Sequence, residues 1–278
     1  MSLKSILAHV DETPGALIRA ELAAKLAARH GGSATALVVS VAPGEPFGPG
    51  AEILDGTISA MRAQITARRL EDARSIAARV KTAAGLESDV LQVETDRIIV
   101  DVASRMRPAD LVVVGPPREN GQMLDEDVLE AALFSSGRPV IVLPHERSGA
   151  EVGRTVAIAW KDCREAARAI HEAMPILEAA DLVRFVVVHA QEDARYFGAP
   201  ALARMEAALR ARGVKVGDAV IDKQTAHVGE ALDRSVGAIG ADLLVMGAYG
   251  RWRMTERLFG GVTRHVLHES STPLFLAH

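Results

Sequence analysis

The chain alternates short unbroken apolar runs with longer stretches in which apolar residues recur every three or four positions. Ser5-Ile-Leu-Ala-His-Val reads as a strand ending at Asp11. Ile18, Leu22 and Leu26 then share one stripe of a helix, which Gly31-Gly32 stops. Residues 36–41 form a second apolar run, followed by the loop Pro43-Gly-Glu-Pro-Phe-Gly-Pro-Gly50. Met61, Ile65, Ile76 and Val80 fall at helical spacing along a long helix. A strand near 89–93, a helix near 98–106, a strand at 111–114 and another at 139–143 follow. The order then begins again, with a strand at 155–159 and a helix over 164–180 that must bend or break at Pro175. Strand 185–189, a helix carrying Leu202, Met205 and Leu209 that ends at Gly213, and strand 216–221 come next. Helix 228–239, strand 243–246, helix 262–270 and strand 274–276 close the chain. Strands that are apolar throughout, alternating with helices, predict parallel sheets covered on both faces.

The pattern is a duplication. Ala109-Asp-Leu-Val-Val-Val-Gly115 returns as Ala241-Asp-Leu-Leu-Val-Met-Gly247, an offset of 132 residues between Ala109 and Ala241. Pro139-Val-Ile-Val-Leu returns as Pro273-Leu-Phe-Leu-Ala, an offset of 134, and the strand at Ser5 returns at Thr155, an offset of 150. Three segments in the same order, with spacing that drifts through loops, make two copies of one domain. We place them at residues 1–146 and 151–278, joined by the polar stretch His145-Glu-Arg-Ser-Gly-Ala150.

Composition narrows the function. The 278 residues are 49% hydrophobic and 24% charged, which describes a globular chain. A formal charge of -4 and no basic run argue against nucleic acid as a partner. Cys163 is the single cysteine, so no intramolecular disulfide forms and a reducing compartment suits the chain. No apolar stretch reaches the ~18 residues of a membrane span, and the opening strand does not resemble a signal peptide. The expected location is the cytoplasm.

In open parallel sheets, ligands sit beyond the carboxyl ends of the strands, where the strand order reverses. After the strand ending at Met246, the second copy has Gly247, Gly250 and, after nine further residues, Gly260-Gly261 opening a helix. A helix start offers free N–H groups and the positive end of the dipole to an anion such as phosphate. A long loop whose glycines only make turns is the alternative reading. The first copy has Gly115-Pro-Pro-Arg-Glu-Asn-Gly121 in this place, with prolines where free N–H groups are needed.

At these residues the chain resembles the universal stress protein family in its tandem two-domain form. The family's nucleotide-binding members carry Gly, two residues, Gly, nine residues and Gly before a small hydroxyl residue. Gly247, Gly250 and Gly260 match that pattern, and Val262-Thr263 falls in register. The resemblance implies two Rossmann-like, adenine nucleotide alpha hydrolase-like domains, each a five-stranded parallel sheet of order 3-2-1-4-5 with helices on both faces. It implies ATP or AMP at the carboxyl edge; whether Mg2+ accompanies the nucleotide stays open. It also implies an intramolecular pseudo-dimer in which the fifth strands pair. Homodimerisation of the whole chain stays open.

The chain departs from the pattern in three places: Gly261 stands where the hydroxyl residue belongs, Lys161 in the second copy stands where Asp11 stands in the first, and the first copy lacks the glycine motif. The expectation is one nucleotide per chain, in the second domain. Following Met246, which also belongs to the site, Gly247, Gly250, Gly260, Gly261 and Val262 would hold the phosphates by backbone, with Lys161 and Ala190 flanking base or ribose. The protein would act as a stress-response regulator or adaptor with an unidentified protein partner. A nucleotide-free scaffold, or an adaptor for another small ligand, is the alternative. An ATPase, weak at most, is a third reading, because no activated nucleophile or placed base is visible.

Other residues carry weaker signals. His265 and His268 lie three apart, as metal ligands can, but exposed or strand-end histidines are the simpler reading, and we expect no metal. His9, His189, His227 and His278 are scattered. Arg251, Arg253 and Arg257 flank the glycine loop, Tyr196-Phe197 and Phe47 lie in loops near the carboxyl edge, and Trp160 ends a strand where it could wall or narrow the pocket. Cys163 opens a helix, where a thiolate is favoured, though no base partners it.

Overall fold

The computed structural model describes residues 3–44, 56–117, 123–145, 151–188, 199–222, 227–248 and 261–277. The first copy runs β1 (Ser5–Val10), α1 (Pro14–Arg29), β2 (Ser33–Ala42), α2 (Gly56–Ala84), β3 (Ser88–Glu94), α3 (Ile98–Met106), β4 (Leu111–Val114), α4 (Met123–Glu130) and β5 (Val140–Val142). α4 continues into a π-helical turn over Ala131–Ser135. The second copy runs β6 (Thr155–Ala159), α5 (Arg164–Glu172), α6 (Met174–Ala179), β7 (Leu182–Val188), α7 (Ala199–Ala211), β8 (Val220–Asp222), α8 (Val228–Ile239), β9 (Leu243–Gly247), α9 (Gly261–Glu269) and β10 (Leu274–Ala277).

The ten strands form one sheet of order β3-β2-β1-β4-β5-β10-β9-β6-β7-β8, so each half has the order 3-2-1-4-5 expected from the resemblance. Within each half every pairing is parallel, while β5 and β10 pair antiparallel. Ile141 faces Phe275 across that seam, with Val140 opposite Leu276 and Val142 opposite Leu274. Ile141 and Phe275 are equivalent residues at the offset of 134, so a pseudo-two-fold axis passes through their pair. Pairing here removes two edges that would otherwise offer unpaired backbone groups.

Each face of the sheet has its own core. Ile6, Ala8, Leu111, Val113, Ile141, Leu143, Val156, Ile158, Val245 and Phe275 pack under α1, α5 and α6, and this apolar layer runs unbroken through both halves. Val112, Val114, Val140, Val142, Leu244, Met246, Leu274 and Leu276 pack on the other face, against residues of α3, α8 and α9. Arg29, at the end of α1, donates to the carbonyl oxygens of Val152 (3.3 Å), Gly153 and Ala179. It thus caps the negative end of α6 from the other domain.

The repeated Ala-Asp-Leu segments have a structural reason. Asp110 accepts from the Lys4 and Ser5 amides at 2.7 and 3.0 Å, and Asp242 accepts from those of Gly153 and Arg154 at 2.8 and 3.0 Å. Each carboxylate ties the start of the fourth strand to the start of the first.

The helix expected over 164–180 is two helices. The break falls at Ala173, and Pro175 lies in the first turn of α6, where its missing N–H costs nothing. The strand expected at 216–221 is shorter. Val216 makes only an isolated bridge to Val183, and pairing resumes at Val220.

Candidate functional site

The strand order reverses between β1 and β4 in the first half and between β6 and β9 in the second. A crevice at the carboxyl end of each pair is therefore the place to look for a ligand. The two crevices are built differently.

In the first half, a guanidinium fills the crevice. Arg19 of α1 is 1% exposed, donates through Nε to the His9 carbonyl oxygen at 2.9 Å and pairs through Nη2 with Asp11 Oδ2 at 2.8 Å. Thr13 donates to the same carboxylate from its amide at 2.8 Å and from its hydroxyl. Burial opposes the charge on Asp11, but Arg19, His9 and Thr13 outweigh it and hold its pKa below the ordinary value. Arg19 also comes up against Gly115 at the end of β4, where an added β-carbon would lie 2.8 Å from Nη1 and 3.6 Å from the His145 ring. Burial and the neighbouring Arg19 charge push the His145 pKa down. The Asp11 carboxylate is thus already bonded to its own chain.

In the second half, α5 presents Ala169 at the position equivalent to Arg19, by the offset of 150, and that residue is fully buried. No guanidinium from α5 enters the crevice. Lys161 follows β6 and is exposed, and its carbonyl oxygen accepts from the Cys163 amide at 2.8 Å. Met246 is buried against the α8 and α9 side. Gly247 pairs with Ala277 in β10, and a β-carbon there would lie 2.5 Å from the Glu165 carbonyl carbon and 2.7 Å from the Ala166 nitrogen. Only glycine lets the end of β9 approach the first turn of α5 this closely. α9 begins at Gly261, Val262 packs against the core of its face, and Thr263 is buried in the first turn.

Of the eight residues expected to hold a nucleotide, Lys161, Met246, Gly247, Gly261 and Val262 are described, on β9, on α9 and just past the end of β6. Ala190, Gly250 and Gly260 lie outside the described residues, as do Phe47, His189, Tyr196, Phe197, Arg251, Arg253, Arg257 and His278.

Three of the other residues singled out in the sequence have settings of their own. Burial, with Glu165 beside it, raises the Cys163 pKa, so the start of α5 does not favour a thiolate. Trp160 meets Phe185 edge-on with ring centroids 5.9 Å apart, and it lines a groove of about 270 Å³ between α5 and α7 with Met174, Met205 and Leu209. It belongs to the α5–α7 packing. His265 bonds Asp233 through Nε2 at 3.1 Å, while His268 is exposed, and no group of metal-ligating side chains occurs among the described residues.

Sequence reasoning missed Arg19, the Glu165–Ala166 backbone and Asp233. Arg19 carried a signal: it is a lone cation on the buried face of α1, among Ala16, Ala20 and Ala23, whose small side chains leave room for it.

A model of the universal stress protein family matches residues 2–144 and 154–278. Among solved structures, the chain is similar to a universal stress protein from Archaeoglobus fulgidus DSM 4304, with 18% identity and a TM-score of 0.71 over 99% of this chain and 96% of that one. It is also similar to a protein of unknown function from Pseudomonas aeruginosa PAO1, with 16% identity and a TM-score of 0.56 over 99% and 92%. No curated protein matches it. No described helix is long and apolar enough to cross a membrane.

Proposed function

This chain belongs to the universal stress protein family, with two of its domains in tandem, and we propose that its second domain binds one adenine nucleotide, ATP or AMP. The contrast between the crevices carries this reading. The first is occupied by the Arg19–Asp11 pair, whereas the second has Ala169 in place of the arginine and α9 opening at Gly261 beside the end of β9. Backbone amides of Gly247, Gly250, Gly260, Gly261 and Val262 would receive the phosphates after Met246, with Mg2+ as companion. Lys161 and Ala190 would lie toward the base or ribose. Gly261 in place of a hydroxyl residue removes one bond to a charged group, about 1.5–3 kcal/mol, which weakens binding and leaves the backbone contacts in place. Nucleotide occupancy would make the protein a cytoplasmic stress-response regulator or adaptor for a protein partner.

The test is calorimetric titration of the full chain with ATP, with and without Mg2+, beside Gly250→Val. One site per chain, lost in the variant, is the expected result; equal heats from both proteins would remove the specific site.

One observation favours a nucleotide-free scaffold or an adaptor for another ligand. The contact of Gly247 with the start of α5 accounts for that glycine without any ligand. Adenine nucleotide released from freshly purified, denatured protein and identified by mass spectrometry would count against this second reading.

A further inference from the structure

α8 and α9 meet through Gly229, Asp233 and His265 in an arrangement that the first domain does not have. His265 of α9 bonds Asp233 of α8 at 3.1 Å. Its ring lies over Gly229, where an added β-carbon would stand 2.5 Å from Cδ2, 2.7 Å from Cγ and 3.0 Å from Cβ of the histidine. Gly229 is the second residue of α8, and only a residue without a β-carbon lets the ring sit this close. At the offset of 132, Asp233 corresponds to Asp101 and Gly229 to Arg97. In the first domain Arg97, at the N-cap of α3, reaches forward along that helix to Asp101, at 3.0 and 3.2 Å. The second domain loses that arginine, and its aspartate reaches across to the neighbouring helix instead. At the offset of 134, His265 corresponds to Ala131, which offers nothing to bond. The change is therefore concerted: the same aspartate has exchanged an internal partner for one on α9.

His265 lies one turn from Gly261, about 6 Å along the helix axis. A bond and a steric seat at that point fix the direction in which the first amides of α9 aim. We propose that Gly229, Asp233 and His265 form a clamp that positions the start of α9 and thereby sets the affinity of the second domain for phosphate groups. This rests on the nucleotide reading of that domain, in which His265 is a positioning residue that does not touch the ligand.

Two readouts on the full chain test it: hydrogen exchange of the peptide covering 261–269, and calorimetric titration with ATP. His265→Ala and Asp233→Ala should each speed exchange across α9, leave α5 unchanged and weaken ATP binding roughly five- to tenfold. The double variant should be no worse than either single one, because both remove the same bond. Gly229→Arg should act likewise, by evicting the ring and recapturing Asp233. His265→Gln keeps a side-chain donor near the position of Nε2 and should recover most of the affinity. Unchanged α9 exchange in His265→Ala overturns the clamp, and wild-type ATP affinity in that variant overturns its positioning role. Absence of ATP heat in the wild-type chain overturns the nucleotide reading and with it the effect on affinity, while the exchange arm still decides whether the clamp exists.

Discussion

Arg19 separates the two domains most sharply. A buried guanidinium is stable only when paired, and removing one partner of such a pair costs about 3 kcal/mol. Asp11→Asn should lower stability by that amount at neutral pH, measured by urea denaturation. The folded-state pKa of Asp11 lies below its ordinary 3.8. The contribution of its charge is therefore complete above that value and disappears as pH falls through the lower folded one. The advantage of the wild type over Asp11→Asn should thus stay flat from neutral pH down to the ordinary value and shrink below it. A gap that closed already near pH 6 would mean that a histidine, not Asp11, carries the dependence. Little of this was legible in the sequence. Asp11 was visible as an acid at a strand end, but its partner lies eight residues on, and only the small neighbours Ala16, Ala20 and Ala23 hinted that a long side chain could turn inward. Cys163 shows the opposite limit: its position at a helix start was correct, while its pKa follows from burial that no local pattern reveals.

Among the elements, periodicity located most helices and strands to within a residue or two, because buried strands and amphipathic helices write their periods directly into the chain. α3 and α8 fall where the apolar stripe placed them. Pro175 broke its helix as its missing N–H requires. β2 and β7 begin three residues before the positions expected, and β8 departs furthest: the run from Val216 to Ile221 has strand composition, yet only its end pairs along the outer edge of the sheet. What the sequence could not show is how one element meets another. Gly247 looked like a phosphate glycine, but the structure also sets it against the start of α5. Gly247→Ala should force β9 and α5 apart and destabilise the fold by about 1–3 kcal/mol, measurable as a lower urea midpoint without any ligand. If the variant is as stable as the wild type, the close approach is not what requires glycine there, and a ligand becomes the better reason.

For the molecule as a whole, the duplication was fully legible, since offsets of 132, 134 and 150 recur in one order. The seam was expected only through the family resemblance, and the antiparallel pairing of β5 with β10 bears it out. The apolar layer beneath α1, α5 and α6 crosses that seam without interruption. Phe275→Ala, at the pseudo-axis, should therefore cost about 3–5 kcal/mol. The wild type should also lose secondary structure and tryptophan fluorescence in one coincident urea transition. Two separated transitions would show that the halves unfold independently. The antiparallel seam has one more consequence. Because β10 runs against β5, the mouth of one crevice opens on one rim of the sheet and the mouth of its twin on the opposite rim. On the proposed reading, in which only the second crevice takes nucleotide, the chain is one-sided in information although it is symmetrical in outline. A partner gripping the rim with the arginine plug would sense nucleotide only as a strain relayed through the middle of the sheet, whereas one gripping the far rim would meet the nucleotide itself.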